Sequence, residues 1–258
     1  MNTPLPNPLV SRPHLRQLDW YDPNVFDPKV TIIGAGGIGS WVTITLAKLG
    51  VRRFVVYDSD AVEEHNLGST PYHMSSLAEK KVGALKPIAE HYGFGVKFRG
   101  VTKKFNGSKL PPTDVLISAV DSMEARRMLF KAAVEQKIKF FIDGRIGGEN
   151  LRVYSVRPTD TEDRKFYRLT TKKSIIVAHL PCTGQQCIDI GLAVSSLIVR
   201  SFRNWIAREE YVPEVIAKIS HLQIFSSPVK ESKERKKWKA YVDDQRARIK
   251  DETSRVEE

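Results

Sequence analysis

The sequence of 258 residues has only two cysteines, Cys182 and Cys187, and no long apolar run. Two cysteines cannot form a disulfide framework or a four-thiolate zinc site, so we expect no structural zinc. The apolar runs, at 175–178 and 197–199 for example, are much shorter than the roughly 18–20 residues of a membrane-spanning helix. The first residues also lack the apolar core of a signal peptide. These absences predict a cytoplasmic protein with no membrane contact.

Acidic residues are also few. The 30 Asp and Glu stand against 41 Lys and Arg, which gives a formal net charge of +11. Such an excess is typical of proteins that meet an acidic partner, which could be a nucleotide, a nucleic acid or an acidic protein. The basic residues are scattered along the chain, however, and this favours the interpretation that the charge mainly aids solubility.

Short apolar segments alternate with segments of helical periodicity through the first 150 residues. Continuously apolar strands that alternate with amphipathic helices are typical of a parallel sheet covered on both faces. The predicted fold class is therefore α/β, with a doubly wound, Rossmann-like and mostly parallel sheet. The predicted strands are 30–33, 54–57, 96–100, 115–120 and 140–142, and the predicted helices are 38–49, 76–92 (opened by a capping box from Ser76 to Glu79) and 122–136.

The pattern changes after Gly148 and predicts an antiparallel extension. Residues 151–156 alternate like a half-exposed strand, residues 157–174 are polar and predict a mobile loop, and 187–206 predict a long helix. We place one domain at 1–226, with an N-terminal arm at 1–28 and a crossover loop at 157–186. The remaining residues, 227–258, have ten Lys or Arg and eight Asp or Glu, which predicts a charged helical or disordered tail.

A glycine-rich turn, Gly34-Ala-Gly36-Gly37-Ile38-Gly39, follows the first predicted strand and opens the first helix. In a G-x-G-x-x-G spacing the first glycine permits the tight turn, the second lets the backbone approach a phosphate, and the third allows close helix–strand packing. Asp58 ends the next strand, where its carboxylate can accept hydrogen bonds from ribose hydroxyls. The turn therefore predicts a nucleotide site.

The residues after Asp58 narrow this prediction. The stretch from Asp58 to Leu67 resembles the D-x-D-x-V-x-x-x-N-L motif of the ThiF/MoeB family, the adenylating enzymes related to ubiquitin-activating enzyme. The resemblance covers roughly residues 12–206 and is closest to phage- and plasmid-type members. Its further motifs, in chain order, are the glycine turn followed by Ser40, Lys81-Val82, Asp121 with Arg126, the segment Phe141-Ile-Asp-Gly144, and Pro181-Cys182-Thr183 with the helix after it.

The resemblance implies ATP and Mg²⁺ as cofactors and a set of site residues. Gly34, Gly36, Gly37 and Gly39 would form the nucleotide turn with Asp58 and Asp60. Lys81 would place a point charge near the phosphates, Asp121 would hold Mg²⁺, and Asn66 would bond near the phosphates. Each has a plainer interpretation. Lys81 could be solvated beside Lys80, Asp121 with Ser122 could cap a helix, Asp60 could belong to an ordinary turn, and Asn66 could form an Asx-turn.

The sequence departs from the family after Asn66-Leu67. Family members continue with x-Arg-Gln, whereas this chain has Gly68-Ser69-Thr70, so the arginine that contacts the triphosphate is missing. Arg145, Arg12 and Arg16 are candidate replacements. The loss weakens the expectation of efficient adenylation more than the expectation of ATP binding.

The cysteines could serve a second step. Some family members carry the acyl group on a cysteine of the crossover region as a thioester or persulfide, and a thiolate near a helix N-terminus is the better nucleophile. Cys182 fits this role better than Cys187, which falls within the long helix. The plainer interpretation is that both are small buried apolar side chains.

Four functions follow, in decreasing order of support. The first is ATP-dependent adenylation of the C-terminal carboxylate of a small ubiquitin-like or sulfur-carrier protein, by a protein that we expect to be a homodimer. The second is ATP-dependent modification of tRNA, as in the threonylcarbamoyladenosine dehydratases, which the basic composition favours slightly. The third is a non-catalytic nucleotide-binding assembly protein, which the missing arginine favours. The last is an NAD-linked dehydrogenase, which only the general fold suggests.

Overall fold

The computed structural model describes residues 12–17, 20–172, 187–207 and 211–228. These residues form one eight-stranded mixed sheet in the order β3-β2-β1-β4-β5-β6-β7-β8. The strands are β1 Lys29–Ile33, β2 Arg53–Tyr57, β3 Lys97–Val101, β4 Val115–Ser118, β5 Phe140–Gly147, β6 Asn150–Val156, β7 Glu214–Lys218 and β8 Gln223–Ser226.

The first five strands are parallel and the last three continue the sheet in antiparallel fashion. β4 is buried at all four positions and β1 at four of its five, as expected for strands that are covered on both faces. β5 is longer than the predicted 140–142 because it turns directly into a hairpin with β6. The α/β, doubly wound fold class with an antiparallel extension is confirmed.

Helices cover both faces of the sheet. In chain order they are α1 Gly39–Leu49, α2 Glu64–Leu67, α3 Lys81–Tyr92, α4 Met123–Glu135, α5 Thr161–Thr170 and α6 Ile188–Ile206. One apolar core joins side chains of α1, α3 and α6 to one face, for example Val42, Leu85 and Ile198. A second core joins α4 and α5 to the other face, through Leu129 and Tyr167. Burial of these apolar side chains at roughly 25 cal/mol per Å² is the main stabilising term.

Two local predictions were wrong. The helix predicted at 76–92 begins only at Lys81, because Met74–Ser76 forms a separate 3₁₀ turn and the predicted capping box does not open the helix. The helix then continues through Pro87. The polar stretch predicted as a loop contains α5, whose first turn is capped by Asp160 through bonds to the N–H groups of Glu162 and Asp163 at 2.9 Å each.

The N-terminal arm is described only in part. Residues Arg12–Gln17 form a 3₁₀ helix. His14 and Tyr21 are buried, so the described part of the arm packs on the domain. Residues 173–186 of the crossover segment lie outside the described residues, as does the tail beyond residue 228.

Candidate functional site

Three strand ends meet where the sheet order reverses. β1 is followed by β2 on one side, and β4 pairs with β1 on the other side. In open α/β sheets this switch point opens a crevice at the carboxyl ends of the strands, where ligands bind. Gly34 follows β1, Asp58 follows β2 and Asp121 follows β4 by three residues. The structure therefore brings these sequence-predicted groups to the same edge of the sheet.

The glycine turn is held by close backbone contacts at its two ends. Gly34 has a φ of +99°, and a Cβ there would lie 2.3 Å from the Ala119 carbonyl oxygen. A Cβ on Gly39 would lie 1.8 Å from the Gly34 carbonyl oxygen. Gly36 differs, because a Cβ there would meet nothing within 4 Å. The end glycines are thus required for packing, whereas Gly36 faces open space that fits the close approach of a phosphate.

The beginning of α1 favours an anion at the turn through its helix dipole, although the Ser40 and Val42 N–H groups already bond the Gly36 and Ile38 carbonyl oxygens at 3.0 Å. The first N–H groups of a helix have no partner within the helix and carry the positive end of its dipole. The first turn of α1 starts at Gly39, directly after Gly36 and Gly37. α6 approaches the same turn from outside, since a Cβ on Gly191 would lie 2.8 Å from the Gly37 carbonyl oxygen.

Asp58 is bonded to the glycine turn. Its Oδ2 accepts the Ala35 N–H at 2.7 Å, and its Oδ1 accepts the Asp60 N–H at 2.8 Å. The buried Tyr72 hydroxyl donates to the Ala35 carbonyl oxygen at 2.5 Å. A carboxylate has lone pairs beyond these two bonds, so the ribose contact remains a prediction that this geometry allows.

Lys81 is buried, while its neighbour Lys80 is exposed. The Lys81 ammonium lies 3.5 Å from Asp60 Oδ2. The backbone N–H of Lys81 donates to the Asp60 carbonyl oxygen at 2.9 Å. Burial alone would raise the pKa of Asp60, but the hydrogen bond from Ser59 and the charge of Lys81 outweigh it and lower that pKa. The solvated-lysine interpretation therefore applies to Lys80, whereas the Lys81 side chain is buried beside Asp60.

Asn66 lies in the short helix α2. Its side-chain oxygen accepts the Glu63 N–H at 3.1 Å, and Glu63 reciprocates in a capping box. This is close to the plainer interpretation of Asn66 as a local turn residue. The side-chain nitrogen of Asn66 is not part of that cap, so its bond to a phosphate stays a prediction.

Asp121 is exposed on the loop between β4 and α4. The helix cap that could have explained it comes instead from Ser122, whose Oγ accepts the Ala125 N–H at 3.1 Å. Mg²⁺ commonly binds through one or two carboxylates together with substrate phosphates, so a single exposed aspartate suits it. Among the described residues no group of three His, Cys, Asp or Glu could hold a metal ion by itself.

Arg145 belongs to the interior. Its Nε bonds Asp143 Oδ2 at 2.7 Å, its Nη1 bonds the Thr170 carbonyl oxygen at 2.9 Å, and its guanidinium lies 4.2 Å from the centre of the Tyr154 ring. These contacts use the side chain to join β5 to α5. Its role as the replacement arginine stays a prediction that would require it to leave them.

The sequence did not single out Asp143, which proves to be the most deeply buried acid of the site region. Its side chain is fully buried and bonds Arg126, Arg145 and the Tyr167 hydroxyl, the last at 2.8 Å. Burial alone would raise the pKa of Asp143, but the two guanidinium groups lower it. The two arginines that pair with Asp143 are present in the sequence as Arg126 and Arg145. They do not indicate a buried acid there, because only the fold brings Arg126 next to Asp143.

The remaining predicted residues are two arginines near the N-terminus and the two cysteines. Arg16 is exposed on the N-terminal 3₁₀ helix. Cys187 is exposed at the N-cap position of α6 and therefore just precedes that helix. Cys182 and the side chain of Arg12 lie outside the described residues.

The fold and the site define a class: a doubly wound α/β protein with a glycine turn and flanking acids at the switch point. Within that class, the sequence profile of the ThiF family matches residues 23–220. The chain belongs to the ThiF family, and the resemblance inferred from its motifs is confirmed.

Curated relatives match over part of the chain. Ubiquitin-like modifier-activating enzyme 5 of Drosophila mojavensis is 26% identical over 134 residues, which are 46% of this chain and 34% of that protein. The protein of the same name from Caenorhabditis briggsae is 28% identical over 125 residues, which are 43% of this chain and 29% of that protein. The match thus spans about a third of the length of these relatives.

Solved structures share the fold. PaaA has a TM-score of 0.72 at 14% identity, covering 89% of this chain and 77% of that one. MccB of E. coli, solved with ATP, has a TM-score of 0.62 at 16% identity, covering 80% and 65%. In the part of the chain that the structure describes, no helix is long and apolar enough to cross a membrane.

Proposed function

We propose that this protein is an adenylyltransferase that uses ATP to activate the C-terminal carboxylate of a small ubiquitin-like or sulfur-carrier protein. The observation that carries the proposal is the open face of Gly36, set among Asp58, Lys81 and Asp121 at the switch point of a ThiF-family sheet. The names of the relatives, which are ubiquitin-like modifier-activating enzymes, and of MccB solved with ATP support it.

The residues suit this chemistry. A carboxylate oxygen of the carrier attacks the α-phosphorus of ATP, the bond from that phosphorus to the bridging oxygen breaks, and pyrophosphate leaves with the electron pair. Negative charge develops on the phosphate oxygens, where a cation and backbone dipoles stabilise it. Lys81 and the first turn of α1 would supply these, Asp58 would hold the ribose, and Asn66 would donate near the phosphates.

Mg²⁺, when bound, would neutralise the phosphates and favour departure of pyrophosphate. Asp121 is the residue that we assign to hold it, with Asp58 and Asp60 close to the same sheet edge. The presence of Mg²⁺, a homodimer and a cytoplasmic location belong to the proposal.

ATP–pyrophosphate exchange tests the proposal. Candidate small proteins that end in Gly-Gly are incubated with the full chain, ATP, Mg²⁺ and labelled pyrophosphate. We expect carrier-dependent exchange, reduced about 100-fold or more in Asp121→Ala because a charge-stabilising contact is lost. Asp114→Ala provides a matched acid away from the crevice, since Asp114 bonds Lys139 and the Lys29 N–H. ATP binding with no exchange for any carrier would instead favour the non-catalytic nucleotide-binding function.

A later transfer to Cys182 is a separate proposal. Cys182→Ser should abolish a thioester-linked carrier while leaving pyrophosphate exchange intact, because adenylation does not need the thiol. Cys187→Ser is the matched control. A thioester that persists in Cys182→Ser would remove this residue from the mechanism.

A further inference from the structure

The strongest unassigned feature lies behind the crevice, where Arg126 and Asp143 are buried together. Arg126 is 4% exposed and Asp143 is 0% exposed. The Arg126 Nη1 bonds Asp143 Oδ1 and also the Gly144 carbonyl oxygen, the latter at 3.0 Å. Buried charges are stable only when paired and hydrogen-bonded. Both terminal nitrogens of Arg126 meet that condition, whereas its buried Nε has no partner among the described residues.

The second nitrogen of the same guanidinium has a different partner. The Arg126 Nη2 donates to the carbonyl oxygen of Val120, the residue directly before Asp121. One rigid planar group thus connects the middle of β5 to the loop after β4. A lysine ammonium is a single point charge and lacks the two-pronged geometry of this guanidinium.

The loop that carries Asp121 is held on both sides of that residue. The Ala119 N–H bonds the Ile33 carbonyl oxygen at 2.9 Å, which ties the loop to β1. Ser122 caps α4, and the Arg126 N–H bonds the Ser122 carbonyl oxygen at 3.1 Å. The Asp121 side chain itself is exposed. Its position therefore depends on backbone anchors, of which the Arg126 bond to Val120 is the nearest in sequence.

We propose that Arg126, held by Asp143, is a positioning residue that fixes the backbone at Val120 and so aims the Asp121 carboxylate at the magnesium–phosphate part of the crevice. This inference rests on the proposed function. Arg126 does not touch the substrate; it acts through Val120. Misplacement of a reacting group by about 1 Å can cost roughly 100-fold in rate, so a lost anchor has a measurable effect.

The test compares two adjacent arginines of α4. Arg126→Lys keeps a positive charge for Asp143 and loses the second prong toward Val120. Arg127→Lys is the matched control, because Arg127 is exposed and its Nη1 bonds the Thr171 carbonyl oxygen at 3.0 Å, away from the Asp121 loop. In the exchange assay we expect kcat to fall roughly 10- to 100-fold in Arg126→Lys, with the KM for ATP changed less than about threefold. The Mg²⁺ concentration for half-maximal rate should also rise, and Arg127→Lys should match the wild type.

A second measurement does not depend on activity. Amide hydrogen exchange at residues 119–122 of the free protein should become about tenfold faster in Arg126→Lys and stay unchanged in Arg127→Lys, since the anchor lowers local opening. If Arg126→Lys fails to fold, Arg126→Gln is measured instead, because it loses the Val120 tie while Asp143 keeps its ion pair with Arg145.

The outcomes separate the two proposals. If the wild type shows no carrier-dependent pyrophosphate exchange, the proposed function is wrong. Faster amide hydrogen exchange at 119–122 in Arg126→Lys would still support Arg126 as the anchor of the loop. The inference would be overturned if the wild type is active and Arg126→Lys behaves like Arg127→Lys both in pyrophosphate exchange and in amide hydrogen exchange at 119–122.

Discussion

Two aspartates, one inside β5 and one just beyond the neighbouring strand β4, have opposite surroundings. Asp143 in β5 is fully buried and satisfied by two arginines and a tyrosine, whereas Asp121 beyond β4 is exposed. The same side chain type thus serves the scaffold in one place and is free to meet a ligand in the other. An acid near a crevice can therefore be structural or ligand-binding. Its burial and its hydrogen-bond partners distinguish the two roles.

The largest expected effect comes from removing the charge of Asp143. Asp143→Asn leaves two buried guanidinium groups without their counter-ion, and breaking a buried pair in this way costs roughly 3–5 kcal/mol in the free energy of unfolding. Urea denaturation at neutral pH measures it. A loss below about 1 kcal/mol would show that Asp143 is not the centre of the network.

The pH dependence sharpens the same prediction. The folded state lowers the pKa of Asp143 below its ordinary value of 3.8, so the stabilisation is fully present above that value and is lost as the pH falls through the folded pKa. The difference in stability between wild type and Asp143→Asn should therefore be constant near neutral pH and shrink only under strongly acidic conditions. Thermal unfolding measured from pH 7 downward checks this, and a difference that grew on acidification would contradict it.

The glycine turn offers a similar contrast between scaffold and ligand side. Gly39→Ala places a Cβ 1.8 Å from a backbone oxygen, so we expect a destabilisation of about 3 kcal/mol, the upper part of the usual overpacking range.

Gly36→Ala meets no atom of the protein within 4 Å. It should leave the thermal midpoint almost unchanged and weaken ATP binding, which calorimetric titration would show. Normal ATP affinity in Gly36→Ala would place the phosphates elsewhere.

A smaller loss is expected when the hydroxyl of Tyr167 is removed. Tyr167→Phe deletes the 2.8 Å bond to Asp143 and keeps the ring that packs against Phe130 and Phe141. A hydrogen bond to a charged group contributes about 2 kcal/mol, and denaturant unfolding should reveal a change of that size. Tyr57→Phe is the control, since Tyr57 is a half-buried tyrosine at the end of β2.

The smallest effect on stability should come from Asp121. Asp121→Asn removes an exposed charge that caps no helix, so the free energy of unfolding should change by less than about 0.5 kcal/mol. The same variant should strongly impair pyrophosphate exchange. A large loss of stability would show that Asp121, like Asp143, has a structural role.

Much of the crevice could be predicted from local pattern. The glycine spacing and the acid that ends β2 lie within one β-α-β unit, so the chain itself brings them together. The pattern also predicted the parallel strands, because their apolar runs are short and bounded. α5 was missed because most of its residues are polar or charged, although Asp160 caps its first turn and Phe166 and Tyr167 pack in the second core.

The arginine and aspartate network could not be predicted for a related reason. Arg126 and Asp143 are 17 residues apart, and only the parallel pairing of β4 with β5 places the start of α4 beside Asp143. A buried ion pair has no composition signal, since each member alone resembles a surface charge. The burial of Lys81 beside exposed Lys80 was hidden in the same way.

The contact between Gly191 and the Gly37 carbonyl oxygen has a mechanical consequence. Because not even a methyl group would fit between them, the first turn of α6 cannot shift toward the glycine turn without displacing it. Movement of the start of α6 and movement of the glycine turn are therefore coupled, since neither segment can approach the other on its own.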